Sequence, residues 1–67
     1  MQEQFLDNYF MVRTDLNMNS VFQGFDDLED AINYYENEIK DPYIKQCIVT
    51  EVETGIIKRK YVKGIIL

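Results

Sequence analysis

One amphipathic helix sits in the middle of a chain too short to hold much else, and both flanks read as strand. Apolar residues recur at Leu28, Ala31, Ile32, Tyr35 and Ile39, the spacing of a single buried stripe on a helix of 3.6 residues per turn. Asp26 is the expected N-cap, with Glu29 three residues on as its capping-box partner. Asp27, Glu29 and Asp30 crowd the first turn, where the helix dipole favours negative charge. Lys40 stands in the expected last turn, where it favours positive charge. Pro42 ends the helix and biases Asp41 to an extended conformation.

After Pro42 the pattern changes. Tyr43 to Glu53 is rich in Ile, Val, Thr and Tyr and holds no Gly or Pro, which predicts a strand with apolar residues on both faces. Thr54-Gly55 supplies a turn, Gly55 being free to take positive φ, and Ile56 to Lys63 forms the return strand. Strict alternation puts Ile57, Arg59, Tyr61 and Lys63 on one face and Ile56, Lys58, Lys60 and Val62 on the other. Before the helix, Tyr9 to Thr14 reads as a strand, Asn17-Met18-Asn19-Ser20 as a turn, and Val21 to Phe25 as a short return strand. The expected order is β-β-α-β-β, an α+β domain with an antiparallel sheet and one helix packed on one face. The alternative, β-α-β-β, needs a structureless connection of about eleven residues, long for so small a domain.

Sixty-seven residues make one domain with a marginal core, since a chain of this size buries only about 60 % of the surface its unfolded form exposes. Small domains compensate with disulfides, a metal or self-association. Cys47 is the only cysteine and there is no histidine, so an internal disulfide is excluded and a structural zinc lacks its ligands. Self-association remains, and the apolar end Gly64-Ile65-Ile66-Leu67 points the same way: it is expected to be covered by the sheet or by a second subunit. Met1 is followed by Gln2-Glu3-Gln4, not by a basic and then apolar leader. No apolar run reaches the roughly 20 residues that span a bilayer. The expectation is a cytoplasmic protein, in the host cytoplasm if the gene is viral, with no membrane association.

Catalytic chemistry is hard to find. Without histidine the commonest general base is missing. There is no phosphate-binding glycine loop, no nucleophile elbow and no paired-cysteine motif. Cys47 has no evident base beside it and reads as a buried structural residue. The carboxylates of Asp26, Asp27, Glu29 and Asp30 open a helix, whereas a calcium loop needs ligands alternating around a glycine turn. No enzyme activity, metal or cofactor is expected.

Charge is distributed unevenly. Residues 1–41 carry ten acidic and two basic side chains, and residues 42–67 carry two acidic and five basic ones, for a net charge of −5. Within residues 26–40 six acids face one base. On a helical wheel Asp27, Tyr34 and Glu38 fall on one exposed flank, with Asp30, Asn37 and Asp41 on the outermost line beside them. The other flank pairs Glu36 with Lys40. The acidic face is either an ordinary solvated surface or a docking surface for a basic partner, with Tyr34 as an interface anchor. The run Lys58-Arg59-Lys60 either guards a strand edge or, with Tyr61, meets an anionic ligand or a second subunit. The overall negative charge opposes binding to duplex DNA.

The segment Phe25-Asp26-Asp27-Leu28-Glu29-Asp30-Ala31-Ile32-Asn33-Tyr34-Tyr35-Glu36, followed by Thr50-Glu51-Val52-Glu53-Thr54-Gly55, resembles small accessory proteins of phages that infect low-GC Gram-positive bacteria. The resemblance covers most of the chain and carries over no functional residues. It implies a compact non-enzymatic protein that inhibits or modulates a host system, as acidic anti-CRISPR proteins do when they occupy surfaces meant for nucleic acid. Two functions follow as expectations. The first is docking of the acidic helix face on a basic protein surface of the host. The second is a homo-oligomer that sequesters a small anionic ligand between subunits.

Overall fold

The computed structural model describes residues 9–63 and the backbone of Ile65 and Ile66. Its elements follow in the order β1 (Phe10–Asp15), β2 (Ser20–Phe25), α1 (Leu28–Glu38), β3 (Gln46–Glu51), β4 (Ile57–Val62) and β5 (Ile65–Ile66). The strands form one antiparallel sheet in the order β2-β1-β3-β4-β5, and α1 packs on β1, β3 and β2. The α+β architecture is therefore β-β-α-β-β with a short fifth strand added. Residues 20–25, which the β-α-β-β alternative leaves in a loop, form β2. Of the apolar tail, Ile65 and Ile66 pair with Val62 and Tyr61. Gly64 and Leu67 lie outside the described residues.

The two hairpins set the frame, and α1 carries the chain across from one to the other. Leu16 N–H donates to the Asn19 carbonyl at 2.8 Å across the first turn. In the second, the strand stops at Glu51, two residues before Glu53, because the turn takes up Val52 to Gly55. Gly55 N–H donates to the Glu51 carbonyl at 2.8 Å, and Thr54 Oγ1 donates to Glu51 Oε1 at 3.1 Å. Gly55 takes φ +77°, a conformation that strains any residue with a Cβ.

Helix α1 starts one residue later than expected. Its N-cap is Asp27, at φ −110°, ψ 139°, and the Asp27 side chain makes no capping hydrogen bond. The N-cap position therefore falls one residue past the Asp26 of the expected capping box. The far end is also shorter. Lys40 N–H donates to Asn37 and Asp41 N–H to Glu38, three-residue steps that tighten the chain and leave Lys40 outside the helix. Glu36 and Lys40 consequently form no ion pair. The Asp41 carboxylate accepts from Tyr43 N–H at 2.9 Å, which turns the chain around Pro42 toward β3.

The core lies between α1 and the central strands. Val12 faces Val49 and Thr14 faces Cys47 across the β1–β3 pairing. These four are buried with Ala31, Tyr35 and Ile44. Leu28 and Ile39 pack against the cluster as the periodicity requires. The helix is nevertheless turned about its axis relative to expectation. Tyr34, placed by the wheel on an exposed flank, packs against the core with its ring 5.2 Å from that of Phe25. Phe25 closes β2 just before the helix and leaves an aromatic wall for Tyr34 to cover.

One face of the sheet carries no helix. Registers place Met11, Arg13, Phe22, Ile48, Thr50, Ile57, Lys60 and Val62 there, and Phe22 and Ile57 remain more than half exposed. Val49→Ala removes packing from the centre of the buried pair and should cost about 2 kcal/mol of stability. Urea denaturation checks this, and a loss under about 0.5 kcal/mol would place the core elsewhere.

Candidate functional site

The exposed acids of α1 come first. Asp27, Glu29, Asp30 and Glu36 are exposed, as are Asn33 and Asn37 between them. Among the described residues none of these four carboxylates has a basic partner; the ion pairs lie elsewhere, at Arg13–Asp15 and Lys58–Glu51. The turned helix changes the membership of this face. Tyr34 and Glu38 are half-buried, and Glu38 lies near enough to Tyr34 and Cys47 for its charge to raise the pKa of both, after burial itself. Asp41 belongs to the turn at Pro42, where its carboxylate is already engaged. Asp27, Asp30 and Asn37 therefore stand on the acidic face as expected. Tyr34, Glu38 and Asp41 are withdrawn from it, and Glu29, Asn33 and Glu36 join it.

The basic strand does not form one patch. A register irregularity between Val49 and Thr50 sets Arg59 across from Val49 but Ile57 across from Thr50, so Lys58 is an extra residue in β4. Past this bulge the faces swap. Ile57 joins Lys60 and Val62 on the open face, while Arg59 and Tyr61 share the helix side. Lys58 Nζ reaches Glu51 Oε1 at 3.7 Å, at the hairpin tip and away from Lys60. The expected grouping of Ile57 with Arg59, and of Lys58 with Lys60, is corrected accordingly. Tyr61 packs against the core. Lys58, Arg59, Lys60 and Tyr61 thus do not converge on a single ligand.

Asp15, not singled out from the sequence, accepts three side-chain hydrogen bonds. Ser20 Oγ donates to its Oδ1 at 2.6 Å, Arg13 Nε to the same oxygen at 3.0 Å, and Gln46 Nε2 to Oδ2 at 2.8 Å. The Ser20 hydrogen bond, with the Arg13 charge and the Gln46 amide, holds the carboxyl below its usual value against a smaller opposing effect of burial. The cluster bridges three strands, so its evident role is to lock the ends of β2, β1 and β3 in register. No local motif reveals it, because its members are 2, 5 and 31 residues from Asp15.

The remaining chemistry is sparse. Cys47 is buried and burial pushes its thiol up, away from the reactive thiolate. Its Sγ lies 3.5 Å from Thr14 Oγ1. The Tyr35 hydroxyl is buried without a hydrogen-bond partner among the described residues. Among those residues no three His, Cys, Asp or Glu side chains gather as a metal site, and no helix is long and apolar enough to cross a membrane. No protein-family model, curated protein or solved structure matches the chain.

The lowered Asp15 pKa fixes a pH dependence. Its contribution to stability is full above the unfolded carboxylate value of about 4 and disappears as the pH falls through the lower folded value. Asp15→Asn should therefore lose about 1 to 2 kcal/mol at pH 7 and show a flatter decline in stability below pH 4. Urea denaturation across a pH series reads both effects.

Proposed function

We propose that this protein acts by binding, docking the acidic face of α1 on a basic surface of another protein and so blocking or modulating it. The observation that carries this reading is the set of exposed carboxylates Asp27 at the N-cap and Glu29, Asp30 and Glu36 along the helix, none with a basic partner among the described residues. An uncompensated cluster of this kind raises the local negative potential and steers association with a cationic surface. A nucleic-acid-binding surface of a host protein is one such target, which agrees with the resemblance to phage accessory proteins. The buried, protonated Cys47 and the lack of histidine support a non-catalytic role. Asp30→Lys with Glu36→Lys should weaken capture of the partner from a Gram-positive lysate at least tenfold, with the helical circular dichroism retained. Equal capture by the variant, or capture insensitive to salt, would overturn the docking reading.

A second reading, self-association, is favoured by the unequal edges of the sheet. β5 is only two residues long, whereas β2 offers six residues, Ser20 to Phe25, with no charge and no proline. Alternation of the β1–β2 hydrogen bonds from Leu16–Asn19 onward turns the N–H and C=O groups of Ser20, Phe22 and Gly24 off the edge. An uncharged edge with an exposed phenylalanine is a template for a second copy. Pairing β2 with itself about Phe22 would set Ser20 against Gly24, small against small. Phe22→Lys should shift sedimentation toward monomer, and a chain already monomeric at millimolar concentration would remove this reading.

A further inference from the structure

We infer that the cleft beside the β1–β2 turn, bordered by Lys45 and Lys63, binds a small organic anion with a flat aromatic part, the class to which nucleoside monophosphates belong. Lys63 N–H donates to the Lys45 carbonyl at 2.8 Å, one step beyond the Gln46–Val62 pair that opens the β3–β4 ladder. The bond brings the two lysines together at one end of the ladder, and both border the same clefts. Like charges so placed repel and destabilise the pairing. Here nothing offsets them: both lysines are exposed and neither has an acidic partner among the described residues. Lys63 also holds φ +32°, the left-handed conformation expected at the first position of the two-residue connection between Val62 and Ile65. A pair of unneutralised ammonium groups bordering one cleft is matched by an anion that bridges them.

The rest of the cleft extends that chemistry. Its volume is about 440 Å³, within the size range of small-molecule sites, and among the described residues no carboxylate borders it although the protein is acidic overall. Leu16, Met18 and Tyr43 line the same cleft. Met18 is 87 % and Tyr43 77 % exposed, so two large apolar side chains are held open to solvent beside the two cations. The Tyr43 backbone is fixed by the Asp41 carboxylate, which presents its ring from an ordered turn. Aromatic rings of this kind stack on nucleobases without sequence preference. Asn17 and Asn19 add turn amides to the rim. An adjoining cleft shares both lysines and is bordered by Asp15. That carboxylate is already taken by Ser20, Arg13 and Gln46, so it leaves the lysine pair available. The site uses none of the helix carboxylates and stands apart from the docking reading.

Amide-resolved NMR on the full chain tests the assignment, with adenosine monophosphate, adenosine and inorganic phosphate as separate probes. The monophosphate should give saturable shifts at residues 17–19, 43–45 and 63. Adenosine and phosphate should each bind at least tenfold more weakly. Lys45→Ala with Lys63→Gly should weaken the monophosphate at least tenfold in a chain whose spectrum stays folded, since glycine suits the left-handed position. Tyr43→Ala, at an exposed ring, provides an independent variant with the same expected loss, and Lys58→Ala should change nothing. Shifts absent or centred elsewhere, phosphate alone binding as tightly, or either cleft variant binding like the parent chain would each overturn the assignment.

Discussion

The structure depends on the pairing of β1 with β3. These strands are 31 or more residues apart in sequence, and their contact brings the two hairpins into one sheet. Val12 with Val49 and Thr14 with Cys47 make a small, flat patch of four buried side chains. Ala31, fully buried with them, brings no side-chain bulk to hold the helix away. Tyr35 then lies over the patch and Phe25 and Tyr34 close its border. Loop-closure entropy must be met before this pairing contributes any stabilisation. The Asp15 cluster sits at the end of the same pairing, so polar groups fix the register that the apolar groups alone hold only by area.

Much of this was legible in the sequence, and the failures have a common cause. The helix, its apolar residues Leu28, Ala31, Tyr35 and Ile39, both hairpins and the special role of Gly55 follow from local periodicity and turn chemistry. The errors arise where a neighbour outside the local segment decides. Tyr34 faces inward because Phe25 is there to meet it, which no wheel can register. The cap moves from Asp26 to Asp27, two adjacent residues with the same capping preference. The faces of the return strand invert at Lys58 because a bulge resets the alternation. The candidate site shows the same limit. Asp27, Asp30 and Asn37 could be read from helical spacing, whereas Lys45 and Lys63 meet only through strand register.

The fold keeps the helix carboxylates unpaired with the sheet's cations, whose ion pairs form within the sheet, at Arg13–Asp15 and Lys58–Glu51. The helix layer carries uncompensated carboxylates, while Arg13 and Lys60 lie on the uncovered side of the sheet and Lys45 and Lys63 at one end of its ladder. Opposite signs kept apart in this way contribute little to stability, since surface pairs are worth little even when formed. What separation does provide is a field that orients the molecule during an encounter. The same arrangement lets an acidic protein hold an electropositive recess without a basic composition overall.

The extra residue in β4 acts as a phase dislocation between the two ends of the hairpin. On the Val62 side of it, Tyr61 is locked to the core and cannot change face. On the turn side, Ile57 and the tip follow the opposite phase, so the hairpin end is uncoupled from the inward–outward code that governs the rest of the strand. Removing Lys58 would restore uninterrupted alternation with Ile57 still across from Thr50 and Arg59 still across from Val49, so both would keep their faces. The bulge thus absorbs one residue without moving either face of the sheet, and the hairpin end tolerates a change in length that the interior does not register.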